Sequence, residues 1–534
     1  MNRTRLRKNA GLGQVRSAVV LLLLTACAPV PGRLLLDDFP DLTRSSRPAT
    51  VAACRTLFGD LDRLVDRAGV RDAQEVRVTE RPHLRVDRVL AAQGRLARDR
   101  AAVEAWLTLA EAADDRARRA ELANLNLEPD VQRRMDQDLA RCRPLLGAED
   151  RGRPLAETQA WLADIAVPDE YRRWWRVAGL YWLTSLPIRA GVAELHGQIR
   201  ATHRTAVDRL PVQGHLVTHG AATTSGALDA DEVRRILREA SRNPLGLPQP
   251  DRTDRDRLFA AFAPLWEVDV ADPNDRLGRP CWGGEDGNSP GVDPDHPVVY
   301  QHLSHTFLDG RPLVQLNYVV WFPSRPARSA WDYLAGRIDG LTWRVTLGED
   351  GRPLLFDTIH NCGCYHLFFP TLALAPVGDG TSCSEPALVP TYLGDLSPGE
   401  RVILRVSSVE HFVTHVRIGR GAALRPSVTL VEEEYGSLRS LPRPDGRRRS
   451  LFDDQGLVVG SERGERWLFW PMGIPGPGTM RQWGHHATAF FGKRHFDDAD
   501  LIQRYFMRQP LNKKSTAANQ SSNGEYQWPT VSSR

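Results

Sequence analysis

Lysine is almost missing from this chain of 534 residues, occurring only at 8, 493, 513 and 514 among 70 basic side chains. Basicity is therefore carried by arginine, as a GC-rich coding sequence would produce, and arginine-based phosphate recognition is the lesser reading. Also missing is any apolar run of 18 residues, so no segment has the length of a membrane-spanning helix. There is no Gly-x-Ser-x-Gly elbow, no phosphate-binding loop ending in Lys-Ser/Thr, and no dinucleotide fingerprint after a strand. These gaps remove the enzyme classes that announce themselves by motif. A catalytic triad assembled by geometry alone stays open, because triads are not fixed by sequence position.

The first 27 residues are the most distinctive. Arg3, Arg5, Arg7, Lys8 and Arg16 come without an acid. Ala18 to Ala26 is then nearly all apolar, and Leu24-Thr25-Ala26-Cys27 closes it. A basic segment, a short apolar core and small residues at the end describe a secretory signal. Nine residues rising about 1.5 Å each fall short of a hydrocarbon core of about 30 Å. The ending resembles the lipobox of bacterial lipoproteins. That resemblance implies cleavage before Cys27, lipidation of Cys27 and residence in the cell envelope. Ala28 after the cysteine implies the outer membrane, facing the periplasm, where the cell has one. Removing the signal takes the formal net charge from +4 to −1, so nothing calls for a nucleic-acid partner.

Six cysteines follow Cys27, and an even count in an exported chain suggests disulfides. Cys54 and Cys142 stand alone in the N-terminal half and form the natural pair there. Cys281, Cys362, Cys364 and Cys383 leave their pairing open.

The fold class expected is α+β, a helical N-terminal domain followed by an antiparallel β-rich domain. Its parts are a signal (1–26), a spacer (27–48), a helical domain (49–210), a connector with short helices (211–267), a β-rich domain (268–508) and a disordered tail (509–534). Apolar residues recur at helical spacing through Val86–Leu125. Trp161, Trp174, Trp175 and Trp182 are expected to fill the core between helices. Asp229 with Glu232 forms a capping box for a helix through Ala240, and Arg257–Trp266 reads as one more helix. Asp309-Gly310 and Asp350-Gly351 sit between apolar runs and signal two hairpins. Val402–Ile418 and Leu457–Trp470 are further strand candidates.

Ten of the 15 histidines follow residue 290. The densest group is His360-Asn361-Cys362-Gly363-Cys364-Tyr365-His366. On a strand, His360, Cys362, Cys364 and His366 would share one face, and sulfur with imidazole suits zinc or copper. Residues six apart on a strand lie about 20 Å apart, so a metal would need further ligands, with His302 and His305 or His485 and His486 the candidates. Cys364 and His366 could instead pair as nucleophile and base, with His360 a third catalytic candidate. His411 and His415 sit on an expected strand, about 13 Å apart, and read as structural. His296, His302 and His305 with Asp293 and Asp295 could do acid–base work, and the acidic loop Gly284–Asp295 could take calcium. Trp321, Trp331, Trp343, Trp467, Trp470 and Trp483 would either line a glycan or peptide groove or pack the sheets.

Two functions are expected from this. One is a lipid-anchored envelope module that binds a partner protein or wall polymer. The other is an envelope hydrolase or metalloenzyme centred on 360–366.

Overall fold

The computed structural model describes residues 42, 50–221, 227–284, 287–329, 331–377, 384–420 and 425–509. The proposed signal, Cys27, Cys383 and residues 510–534 lie outside the described residues.

Seven helices come first: α1 (Val51–Ala68), α2 (Arg88–Leu96), α3 (Arg100–Leu125), α4 (Pro129–Gly152), α5 (Leu155–Asp164), α6 (Arg173–Ala178) and α7 (Tyr181–Arg204). α1 starts where the Thr50 hydroxyl accepts from Ala53 N and ends at Gly69, whose φ of 64° suits a residue without a Cβ. Leu57, Phe58, Leu61, Leu64 and Val65 fall on one side of α1 and are buried against α4. The expected Cys54–Cys142 disulfide clips these two helices together. Asp87 and Asp99 cap α2 and α3, so Val86–Leu125 is two helices and not one.

The second half is built on a sheet of ten strands. In chain order they are β1 (His215–Ala221), β2 (Leu265–Val270), β3 (Val298–Leu308), β4 (Arg311–Arg325), β5 (Gly336–Leu347), β6 (Pro353–His360), β7 (Leu367–Pro370), β8 (Arg401–Val406), β9 (Val413–Gly419) and β10 (Val428–Glu434). Their spatial order is β7-β6-β5-β4-β3-β10-β1-β2-β8-β9. The fold is α+β as expected, but the sheet is mixed and not purely antiparallel. β10 runs parallel to both β3 and β1, and β8 runs parallel to β2. The cause is topological: β10 and β8 enter the sheet through long crossovers, and only tight turns enforce antiparallel neighbours. β1 and β2 come from the stretch read as a connector and are inner strands of the sheet.

Both Asp-Gly turns are hairpins, joining β3 to β4 and β5 to β6. The capping box at Asp229 and Glu232 is formed in both directions and opens α8 (Ala230–Ala240). The next helix, α9, is Arg252–Phe262, earlier than Arg257–Trp266, because Leu265 and Trp266 are taken into β2. Leu457–Trp470 is no strand; it is loop followed by α10 (Arg466–Phe469). The last helix is α11 (Leu501–Tyr505).

From β4 to β7 the sheet is buried on both faces. Along β4, Leu316, Tyr318, Val320 and Phe322 pack with α8 and α9, while Val319 and Trp321 face Tyr435, Leu438 and Trp483. That two-sided burial explains why β4 reads as one continuous apolar run. Trp321 and Trp343 are wholly buried packing residues, so they line no groove. Trp161 also packs inward, with Arg81 over its ring at 3.8 Å and Trp106 at its edge. Trp174 and Trp182 do not fill a core: they are 65% and 72% exposed.

Candidate functional site

The segment 360–366 is a turn, not a strand. β6 stops at His360, whose carbonyl accepts from Gly363 N at 2.7 Å. Gly363 has φ +92°, and a Cβ there would lie 2.6 Å from the Ala487 carbonyl oxygen. Tyr365 also has a left-handed backbone. This reversal undoes the shared face expected for His360, Cys362, Cys364 and His366. His366 is held by Asp357 at 2.8 Å on Nε2 and by Thr488 at 3.3 Å on Nδ1. Both its nitrogens are engaged, and burial pushes it down to about 3, so it is no catalytic base. His360 lines a cavity on the α7 side of β6.

The proposed metal set does not assemble. His302 packs on Trp483 and Tyr435. His305 Nε2 meets the Pro248 carbonyl at 2.7 Å. Among the described residues, no three His, Cys, Asp or Glu side chains converge as metal ligands would. His485 is taken by Glu170 and the Ala73 carbonyl, while His486 is buried beside Phe496. His296 and Asp293 form an exposed surface pair at 2.7 Å. Of the acidic loop, residues 285 and 286 lie outside the described residues.

The cysteine expectation is corrected in part. Cys281, Cys362 and Cys364 are free thiols. Cys362 and Cys364 face each other across the Gly363 turn, where Cys364 N donates to Cys362 Sγ at 3.4 Å. The hydrogen bond with Cys362, followed by burial, holds the Cys364 thiol well above its ordinary value. A thiol kept protonated is a poor nucleophile, so Cys364 lacks the activation a catalytic role needs.

What the fold does assemble is a buried chain of charge next to His360. His411, read from the sequence as a strand residue, sits in the turn between β8 and β9 with φ +53°. Its Nδ1 meets Asp339 Oδ2 at 2.9 Å, and its Nε2 lies 3.3 Å from Asp275 Oδ1. Phe322 stacks on its ring at 3.9 Å. Asp275 also accepts from Val409 N at 2.6 Å and Ala271 N at 2.9 Å. Asp339 is approached by Arg463 at 3.1 Å and by His360 Nδ1 at 3.8 Å. Burial alone would lower His411, but the two carboxylates outweigh it and raise its pKa. Burial alone would raise Asp339, but Arg463, His360 and His411 hold it well below the usual carboxylate range. For His360 burial wins over Asp339 and lowers it, so it is a neutral imidazole at pH 7.

The backbone is strained where these groups meet. Ile338, Tyr365, Val409 and His411 are four of the eight non-glycine residues with left-handed backbone among the described residues. Such conformations cost of order 1–3 kcal/mol each and persist where the surroundings over-determine them. Glu465 closes the cluster beside Arg463, Arg325 and Arg481, its pKa raised by burial.

The cavity beyond His360 holds about 90 Å³. Leu195, Ile199 and His203 of α7 form one wall, and Leu341, Leu367 and Phe412 the other. His203 Nδ1 donates to the Ile199 carbonyl at 3.1 Å, which leaves its Nε2 a lone-pair acceptor. Among the described residues, neither His203 Nε2 nor His360 Nε2 finds a hydrogen-bond partner. Burial takes His203 down to about 4. An apolar space is therefore lined by two neutral imidazoles.

The sequence reading singled out His360 but missed Asp275, Asp339, Arg463 and Glu465. The one available signal was Asp339, the single acid in the strand Gly336–Leu347.

Comparison with protein-family models, with curated proteins and with solved structures gave no match.

Proposed function

We propose that the chain is a lipid-anchored cell-envelope protein, held to the membrane through Cys27, whose body is a binding module. The cavity beside His360 is its ligand site. It takes the end of a mostly apolar molecule of a few heavy atoms that carries a hydrogen-bond donor. The observation that carries this reading is that His203 and His360, whose Nε2 atoms are buried without a partner among the described residues, line one apolar cavity. Ligand sites are mostly apolar with a few placed polar groups, and a buried acceptor without a donor costs about 1–3 kcal/mol. A donor-bearing ligand recovers that cost.

One observation favours a second reading. His360 borders the cavity with its Nδ1 3.8 Å from Asp339 Oδ1, and a neighbouring carboxylate is what orients a general base. An envelope hydrolase would use His360 in that role, without metal and without Cys364 or His366.

The test uses isobutanol as the probe, followed by histidine side-chain NMR. Binding moves the Nε2 resonances of both His203 and His360, and His360→Leu abolishes the response. Unmoved resonances at 100 mM isobutanol would sink the cavity reading. Intact mass of the protein from its own membranes tests the anchor separately: an unmodified Cys27 overturns it.

A further inference from the structure

Helix α6 has the sequence Arg-Trp-Trp-Arg-Val-Ala, and none of its residues is buried. The first two turns of α7 expose Trp182, Leu183 and Leu186. Helix α10, Arg-Trp-Leu-Phe, also has no buried residue, and Trp467 is 71% exposed. About half of the exposed large apolar side chains among the described residues lie on these two short segments.

The two segments are one surface. Arg172 N donates to the Gly473 carbonyl at 2.8 Å, and Arg176 Nε to the Met472 carbonyl at 2.8 Å. A Cβ on Gly179 would lie 2.5 Å from Pro471 Cβ, so the α6–α7 bend rests directly on the segment after α10. Leu180 takes a left-handed backbone to make that bend. The surface is thus held in place by the fold.

Its charge has one sign. Between residues 171 and 193 there are four arginines and no acid, and between 466 and 480 one arginine, Arg466, and no acid. Arg172 and Arg173 are exposed at the rim. Exposed tryptophan and leucine ringed by arginine match the boundary between phospholipid headgroups and acyl chains, and arginine beside the patch attracts an anionic leaflet.

We infer that the α6–α7 bend and α10 form a docking surface for an anionic phospholipid bilayer. The inference rests on the envelope reading above for the presence of a membrane, and names the face of the body that meets it. Tryptophan rings enter the headgroup layer while Arg172 and Arg173 contact lipid phosphates. The body then lies down on the membrane with α7 between the lipid and the His360 cavity.

The test is quenching of tryptophan emission by brominated lipid, with the full chain carrying Cys27→Ser so that no acyl anchor contributes. Residues 1–49 contain no tryptophan, so insertion of the signal segment leaves emission unchanged. Vesicles of brominated phosphatidylcholine and phosphatidylglycerol at 3:1 should quench the emission, and neutral vesicles at least fivefold less. Trp182→Ser with Trp467→Ser should lower the quenching about threefold. Arg173→Glu should raise the lipid needed for half-binding about fivefold. Unquenched wild-type emission overturns the proposal, and does so in favour of a second copy of the chain if sedimentation shows a dimer. Equal quenching of the wild type and the double tryptophan variant also overturns it. Loss of the anchor reading would show instead as an unmodified Cys27, with quenching unaffected.

Discussion

The molecule buries charge in two places, and the two differ in kind. In the helical half, Arg85 lies wholly inside, donating to both oxygens of Glu121 at 2.8 Å and to Asp114 at 3.3 Å. Arg118 binds Asp114 at 2.9 Å from the next turn of α3. Burial would lower Arg85, but Glu121 and Asp114 raise it. In the second place, the Asp275–His411–Asp339 chain is centred on an imidazole whose pKa its two carboxylates raise. It sits on left-handed backbone at Ile338, Val409 and His411, and its neighbour His360 borders a cavity. Buried charge alone therefore marks no site. A titratable group, a strained backbone and an unpartnered atom facing space together do.

The largest effect expected concerns what holds the helical half together. Cys54 and Cys142 are 88 residues apart, and in the chain-entropy model a loop of that length contributes roughly 4–5 kcal/mol. Replacing both with alanine should lower the urea midpoint accordingly, while alkylation without reductant should modify Cys281, Cys362 and Cys364 of the unfolded wild type and leave Cys54 and Cys142 intact. Labelling of Cys54 would break the contrast between a clipped half and a thiol-bearing half.

Arg85→Met comes next. It leaves Glu121 and Asp114 short of their buried partner, which costs about 3–5 kcal/mol, read by denaturant unfolding. Glu75, pushed up to about 7 by burial and held down in part by Arg85, ionises beside this cluster, so the loss should grow as pH rises from 5.5 to 8. A loss that shrinks toward alkaline pH would erase the distinction between the two clusters.

The smallest effect sharpens the distinction. His411→Gln should cost about 2 kcal/mol at pH 5.5, the scale of hydrogen bonds to charged groups. Because folding raises the pKa of His411, its stabilisation is complete below the unfolded value near 6.5 and is lost as pH rises through the folded value. The gap between variant and wild type should therefore narrow on going to alkaline pH. His203, pushed down to about 4, has the opposite sign: its burial costs stability as pH falls below 6.5, so His203→Leu should gain relative stability in acid.

Much of the local structure was readable before the fold. The Asp229 capping box, both Asp-Gly hairpins and the Cys54–Cys142 pair depend on residues whose chemistry acts over a few positions or leaves a single choice of partner. The site was readable only in part. His360 drew attention through its neighbours in sequence, yet its working partner, Asp339, comes from β5 and that residue's partner, His411, from the turn after β8. Trp174 and Trp182 were misread for the same reason: tryptophan is taken for core unless the fold shows that nothing covers it.

By itself the sequence determined the division into a helical first half and a strand-rich second half, the two tight hairpins and the helix caps, because hydrophobic period, turn chemistry and capping are set by residues a few places apart. Only the tertiary structure decided the mixed strand order, the meeting of Asp275, Asp339 and His411, the cavity at His360 and the bare tryptophan face. Each of these depends on which distant segments share a boundary, and on what the close packing of one interior leaves unpaired.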